Sequence, residues 1–219
     1  MQSQYPLELN YFRRALKELE QDVLRMGTLV EDSFRLSHRA LFEQNFDAIE
    51  KVSLLDKRID RYYRQIENEC SRLMSMQSPV AQDLRFLSAY MQLVRDLERI
   101  GDYSKDLAEI AVRSFAYPPL DCLKEIEQMS LHAQLMLARS LVGLADLDSE
   151  IGNQLKTLDD TVDDAYSRIY NNLAFQQDIQ GYVEPILLMG LTIRYLERMA
   201  DHATNIGKRV SFIVNGPKK

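Results

Sequence analysis

Apolar residues recur at three- and four-residue spacing along most of the chain. That spacing marks helices that bury one face. Leu84, Leu87, Met91 and Val94 form one such stripe, and Ile186, Met189 and Ile193 form another. The breaks between stripes fall at prolines. Ser78-Pro79 reads as a helix N-cap followed by Pro at the first helical position. Pro118-Pro119 stands near the middle of the chain, Pro185 opens the last apolar run, and Asn215-Gly216-Pro217 reads as a helix stop. The pattern predicts six helices, at about 7–44, 46–76, 80–114, 120–146, 149–177 and 183–213. Long helices joined by short loops pack as antiparallel neighbours, so the expected fold is all-α.

The chain also repeats itself. Met26 to Asp60 aligns without a gap on Met129 to Asp163, with Ser37 matching Ser140 and Leu55 matching Leu158. Further on, Arg95, Leu97, Glu98, Arg99 and Asp102 match Arg194, Leu196, Glu197, Arg198 and Asp201 after a four-residue change of register. Two tandem three-helix bundles related by a pseudo-twofold repeat are expected, over residues 1–117 and 118–219.

Composition narrows the class. The 219 residues include 27 Lys and Arg against 33 Asp and Glu, a net charge of −6. That balance argues against a nonspecific nucleic-acid binder. An apolar share of 46% fits a packed core and not a disordered chain. Eight glycines and six prolines are about half the usual share and favour long helices over turn-rich sheets. Cys70 and Cys122 form no disulfide framework and no zinc spacing. The opening MQSQYPLELN has no apolar signal core, and Ile186 to Ile193 is far shorter than the ~20 residues that span a bilayer. A cytoplasmic protein is expected.

The candidate chemistry lies in four acid pairs at i, i+4: Asp56/Asp60, Glu98/Asp102, Asp159/Asp163 and Glu197/Asp201. This spacing places both acids of a pair on one helix face. All four continue apolar stripes, so they are expected near the core. Asp106 and Asn205 each extend a set by one more turn. Like charges so placed repel and are costly near a core unless a cation compensates them. Arg95 and Arg194, three residues before their glutamates, are one source of compensation. A metal ion held by clustered oxygens is the other. One such pair is usually a solvated helix face; four at repeat-equivalent positions carry more weight. His202 has Tyr103 as its repeat equivalent and reads as a neighbour of the acids. His38 and His132 read as packing or surface residues. The Glu-x-x-His pattern of di-iron bundles, a phosphate-cradling Gly-rich loop and a Ser or Cys nucleophile signature are all missing from the sequence.

The segments Leu97-Glu98-Arg99-Ile100-Gly101-Asp102, Leu196-Glu197-Arg198-Met199-Ala200-Asp201-His202-Ala203-Thr204-Asn205-Ile206 and Gln77-Ser78-Pro79-Val80-Ala81-Gln82-Asp83-Leu84-Arg85 resemble the signatures of the PhoU family. The resemblance spans most of the chain, with both repeats in register. It implies two PhoU-type bundles, often in a homodimer, each with a multinuclear transition-metal site, iron or zinc. Asp56, Asp60, Glu98, Asp102 and Asp106 would serve one site. Asp159, Asp163, Glu197, Asp201 and Asn205 would serve the other. It further implies a negative regulator of phosphate uptake and the phosphate response, without enzymatic turnover. Such a protein links the ATPase subunit of a phosphate ABC transporter to a sensor histidine kinase and meets the membrane only through these partners. The chain departs from the family pattern at Asp106, where Asn is usual, and at Tyr103, where His is common. Two other classes fit the acid pairs: a carboxylate-bridged dinuclear enzyme, and a metal-free helical scaffold with Arg-paired acids.

Overall fold

A computed structural model describes residues 5–76, 81–176 and 181–216. Six helices make up its regular structure: α1 (Tyr5–Phe42), α2 (Phe46–Met76), α3 (Ala81–Ser114), α4 (Leu123–Asp146), α5 (Ile151–Ala174) and α6 (Glu184–Asn215). No strand occurs among the described residues. The chain is all-α, as the apolar spacing predicts.

Local chemistry sets the helix ends. Asn45 caps α2 by accepting the Ala48 amide on Oδ1 at 3.2 Å. Pro185 sits in the first turn of α6, where the missing N–H costs nothing. Gly216 ends α6 at φ 77°, a backbone region that favours glycine, and its amide donates to the Phe212 carbonyl at 2.9 Å. α4 begins later than the pattern predicts because Pro118-Pro119 leads into a turn closed from the Leu123 amide to the Leu120 carbonyl. The Ser78-Pro79 cap lies outside the described residues.

α1, α2 and α3 pack on one another, as do α4, α5 and α6. The two sets join through α1 against α4 and α3 against α6, leaving α2 and α5 on the outer flanks. The joining contacts come as related pairs. His38 Nδ1 lies 3.0 Å from Ser130 Oγ on α4, and the repeat-equivalent contact sets Leu141 against Gly27. His202 on α6 meets Asp96 on α3, and the equivalent contact stacks Tyr195 on Tyr103. Residue numbers rise on one helix as they fall on its partner, so both crossings are antiparallel. The sequence repeat is thus a structural pseudo-twofold whose axis passes between the central helices.

The core runs through both repeats and includes fully buried Met26, Phe34, Tyr90, Leu97, Ile100 and Ile126. Burying side chains of this kind contributes roughly 1.5–3 kcal/mol each. α5 and α6 approach closely at Gly152 and Gly207, where a Cβ on Gly207 would fall 3.2 Å from the Gly152 Cα. That contact fixes α5 beside the helix that carries Glu197 and Asp201.

Candidate metal centre

The first set of acids lines the seam between α2 and α3. Val52, Ile59 and Ile66 on α2, with Leu93, Leu97 and Ile100 on α3, are fully buried. The acids occupy the margin of this stripe rather than its middle. Asp56 is buried, while Asp60, Glu98 and Asp102 are half-buried. Burial and then the neighbouring Asp102 charge push the Glu98 carboxyl above its usual range. Asp102 is also raised, by burial first; Arg99 pulls it down while Asp56 and Asp60 push it up. The acids of α2 and α3 therefore face one another, as the paired spacing predicts. Asp106 stands apart from the α2 pair: burial, Glu109 and Asp102 raise it, and it lies close enough to act on Tyr195 of α6.

The second seam, between α5 and α6, follows the same plan. Burial, then Asp163 and Asp201, push Asp159 up to about 6. Asp163 is raised by burial and by Asp201, although it is exposed rather than core-facing as expected. Glu197 is raised by burial and eased by Arg194. Asn205 is half-buried one turn beyond Asp201.

Cations already touch most of these acids. Lys105 Nζ donates to Asp56 at 2.9 Å, Arg99 to Asp102 at 2.8 Å, Arg194 to Glu197 at 2.9 Å and Arg198 to Asp201 at 3.0 Å. Arg64 lies 3.6 Å from Asp60. Neither Asp159 nor Asp163 has an ion pair among the described residues; burial is the main cause of the large Asp159 shift, with Asp163 and Asp201 adding to it. Arg194 takes its expected place on Glu197. Arg95 instead lines a groove against α6 and acts on Glu98 through its charge.

Among the described residues, no three His, Cys, Asp or Glu side chains are gathered closely enough to hold a metal ion. The donor chemistry nonetheless suits one. Each seam offers carboxylate oxygens that raise one another's pKa, and hard cations favour such a set. The competing Lys and Arg heads are partly exposed, from 39% to 74% of their side chains, and such surface pairs hold by only ~0–1 kcal/mol.

The raised acids have a consequence for stability. An Asp whose folded pKa exceeds its unfolded value binds protons more readily in the folded state. Stability from Asp159 is then full below its ordinary 3.8 and is lost as pH rises toward about 6. In chelator at neutral pH, Asp159→Asn is expected to raise Tm by roughly 2–4 °C, since the half-exposed site leaves about 1 kcal/mol to recover. The substitution should also flatten the pH dependence of Tm across that window. A lower Tm in calorimetry would show that the Asp159 charge stabilises the fold.

One feature of the region is not evident from spacing alone. Tyr103 and His202, equivalent positions of the two repeats, lie with ring centroids 6.0 Å apart across the α3/α6 crossing. Arg99 donates to the Tyr103 hydroxyl at 3.3 Å and sits over its ring. His202 Nδ1 is 2.8 Å from Asp96 Oδ1. His202 is thus a neighbour of the acids, held by the other repeat. The signal in the sequence was the repeat alignment itself, which pairs Tyr103 with His202.

Fold and seams together define a tandem-repeat helical protein with an oxygen-rich acidic seam in each half. The PhoU domain model matches this chain twice, over residues 23–111 and 126–210. A phosphate-specific transport system accessory protein PhoU homolog of Synechocystis sp. is 61% identical over 212 residues, covering 97% of this chain and 95% of its own. The crystal structure of PhoU from Pseudomonas aeruginosa superposes with a TM-score of 0.90 at 28% identity, covering 94% of this chain and all of that one. The phosphate transport system regulatory protein PhoU of Streptococcus pneumoniae gives a TM-score of 0.85 at 26% identity, covering 94% and 98%. The chain belongs to the PhoU family.

Proposed function

We propose that this chain is a non-enzymatic regulator of phosphate uptake, acting as an accessory protein of a phosphate-specific transport system. The observation that carries this reading is the 61% identity, over nearly the full length of both chains, to a protein named as such an accessory. In this reading the chain restrains uptake when phosphate is plentiful. It links the transporter's ATPase subunit to a sensor histidine kinase on the cytoplasmic side, as a homodimer. No helix among the described residues is long and apolar enough to cross a membrane. In this reading contact with the membrane runs through these partners.

Each seam is proposed to hold a metal ion. Asp56, Asp60, Glu98 and Asp102 would be the ligands of the first, with Asp106 auxiliary because it faces partly toward α6. Asp159, Asp163, Glu197 and Asp201 would be those of the second, with Asn205 auxiliary. The bound ion would supply positive charge that ties an outer helix to a central one. Oxygen-only donors favour iron over zinc, since structural zinc draws chiefly on Cys and His. The Lys and Arg pairs on the same acids support a second reading, a metal-free scaffold.

The function is tested by deleting the gene from its host. Phosphate uptake and a phosphate-responsive reporter should both rise in phosphate-rich medium, and the parent gene should restore them. Unchanged uptake in the deletion strain would overturn the regulatory reading.

A further inference from the structure

A groove of about 390 Å³ opens between α3 and α6, on the seam between the two repeats. Its walls carry four guanidinium groups, Arg95 and Arg99 from α3 and Arg198 and Arg209 from α6, in a chain whose net charge is −6. Asp96 is the one carboxylate among the groove's lining residues, and His202 engages it at 2.8 Å. Gln92 adds an amide to the α3 wall. Arg99 and Arg198 each give one nitrogen to an acid of the flanking seams, and both also engage the Tyr103 hydroxyl, which lines the groove.

Two further observations set this groove apart from an ordinary solvated face. Arg209 has its Nε buried without a hydrogen-bond partner, and so has His202 its Nε2. Buried polar atoms left without a partner are costly and rare in folded proteins. The pseudo-twofold supplies the second. On the equivalent opposite side of the crossing, Gln92 is replaced by Leu191, Asp96 by Tyr195 and Arg209 by Ile110. Ile110 is buried, and Tyr195 stacks on Tyr103. The fold therefore accepts apolar residues at these positions, and only one side of the crossing has polar ones.

We propose that this groove binds a phosphate-bearing small anion, bridging the two repeats. Planar guanidinium forks match phosphate oxygens in pairs. Four of them against one engaged carboxylate call for a multiply charged ligand, which a monocarboxylate does not provide. The volume admits inorganic phosphate, a diphosphate or the phosphates of a nucleotide, all of which share this chemistry. Because the ligand would touch both α3 and α6, its binding couples the halves of the molecule. The inference stands on the groove alone and does not require metal in the acidic seams.

Calorimetric titration of the full chain tests it, in chelator so that no metal at the seams can carry phosphate. The probes are inorganic phosphate, pyrophosphate and ATP. Arg95→Gln removes an exposed groove cation without touching the core. Arg61→Gln removes an equal charge from the outer face of α2. At least one probe should bind the parent chain, with affinity about tenfold weaker in Arg95→Gln and unchanged in Arg61→Gln. Binding of phosphate and pyrophosphate would point to a free phosphate ligand, and binding of ATP alone to a nucleotide. If none of the three probes binds, or if both variants weaken binding equally, the proposal fails.

Discussion

A chain carrying both Glu98→Gln and Glu197→Gln should come out of a tag-free purification with at most about a tenth of the parent's metal, because loss of a supporting or ligating carboxylate typically costs 10–100-fold in affinity. Glutamine keeps the size and one oxygen of glutamate but removes its charge. Each seam then loses a ligand charge; Arg99 and Arg198 keep their grip on Asp102 and Asp201, while Arg194 loses the charge of its Glu197 partner. The same substitution acts in the opposite direction on the metal-free fold. Glu98 and Glu197 are both held above their usual range, chiefly by burial, so neutralising them relieves strain. The variant should thus be at least as stable as the parent in chelator, yet gain little on adding iron, whereas the parent gains according to metal occupancy. Elemental analysis beside paired calorimetry separates the readings. Equal metal in parent and variant would sink the ligand assignment. No metal in either, before and after reconstitution, would favour the Arg-paired scaffold.

The helices were legible because three- and four-residue apolar spacing is a local property, and Pro and Gly mark where it stops. Legibility ended where tertiary geometry decides. The i, i+4 acids were visible as pairs, and the repeat showed that both halves carry them. Asp106 shows the limit of that reasoning. Four residues advance a helix by slightly more than one turn, so two such steps from Glu98 to Asp106 rotate the side chain by about 80°. That rotation carries Asp106 away from α2 and toward Tyr195 of α6, although it lies on the same nominal stripe. Arg95 illustrates a second limit. Its spacing to Glu98 matches that of Arg194 to Glu197, but α3 meets α6 beside Asp96 and His202, and Arg95 joins that groove. The groove itself could not be read from the sequence. Its cations come from helices about a hundred residues apart, and each one alone looks like part of a solvated face.

Gly207→Val should unfold at a markedly lower temperature than the parent, while Gly190→Val in the same helix should not. A Cβ on Gly207 would fall 2.6 Å from Leu155 Cδ1 and 3.2 Å from the Gly152 Cα. Leu155 is fully buried, so its methyl can shift only within the packed core, and the second obstacle is backbone. α5 must therefore move off α6, and overpacking of this kind costs about 3 kcal/mol. Valine recovers less than about 0.5 kcal/mol of helix propensity relative to glycine. The net loss of about 2–3 kcal/mol corresponds to a Tm lower by roughly 4–12 °C for a chain of this size. At Gly190 an added Cβ has no neighbour within 4 Å, so only the small propensity gain remains. Calorimetry of the two variants in chelator measures the difference. The same displacement bears on the second seam, because Gly152 and Gly207 hold α5 where Asp159 and Asp163 face Glu197 and Asp201. Moving α5 outward exposes Asp159 and separates it from Asp201, so its pKa should drop from about 6 toward the ordinary 3.8. An NMR titration of the Asp159 carboxyl in Gly207→Val follows that change. An unmoved pKa alongside a lowered Tm would mean that α6 bends instead and that the close glycine contact does not set the spacing of the acids.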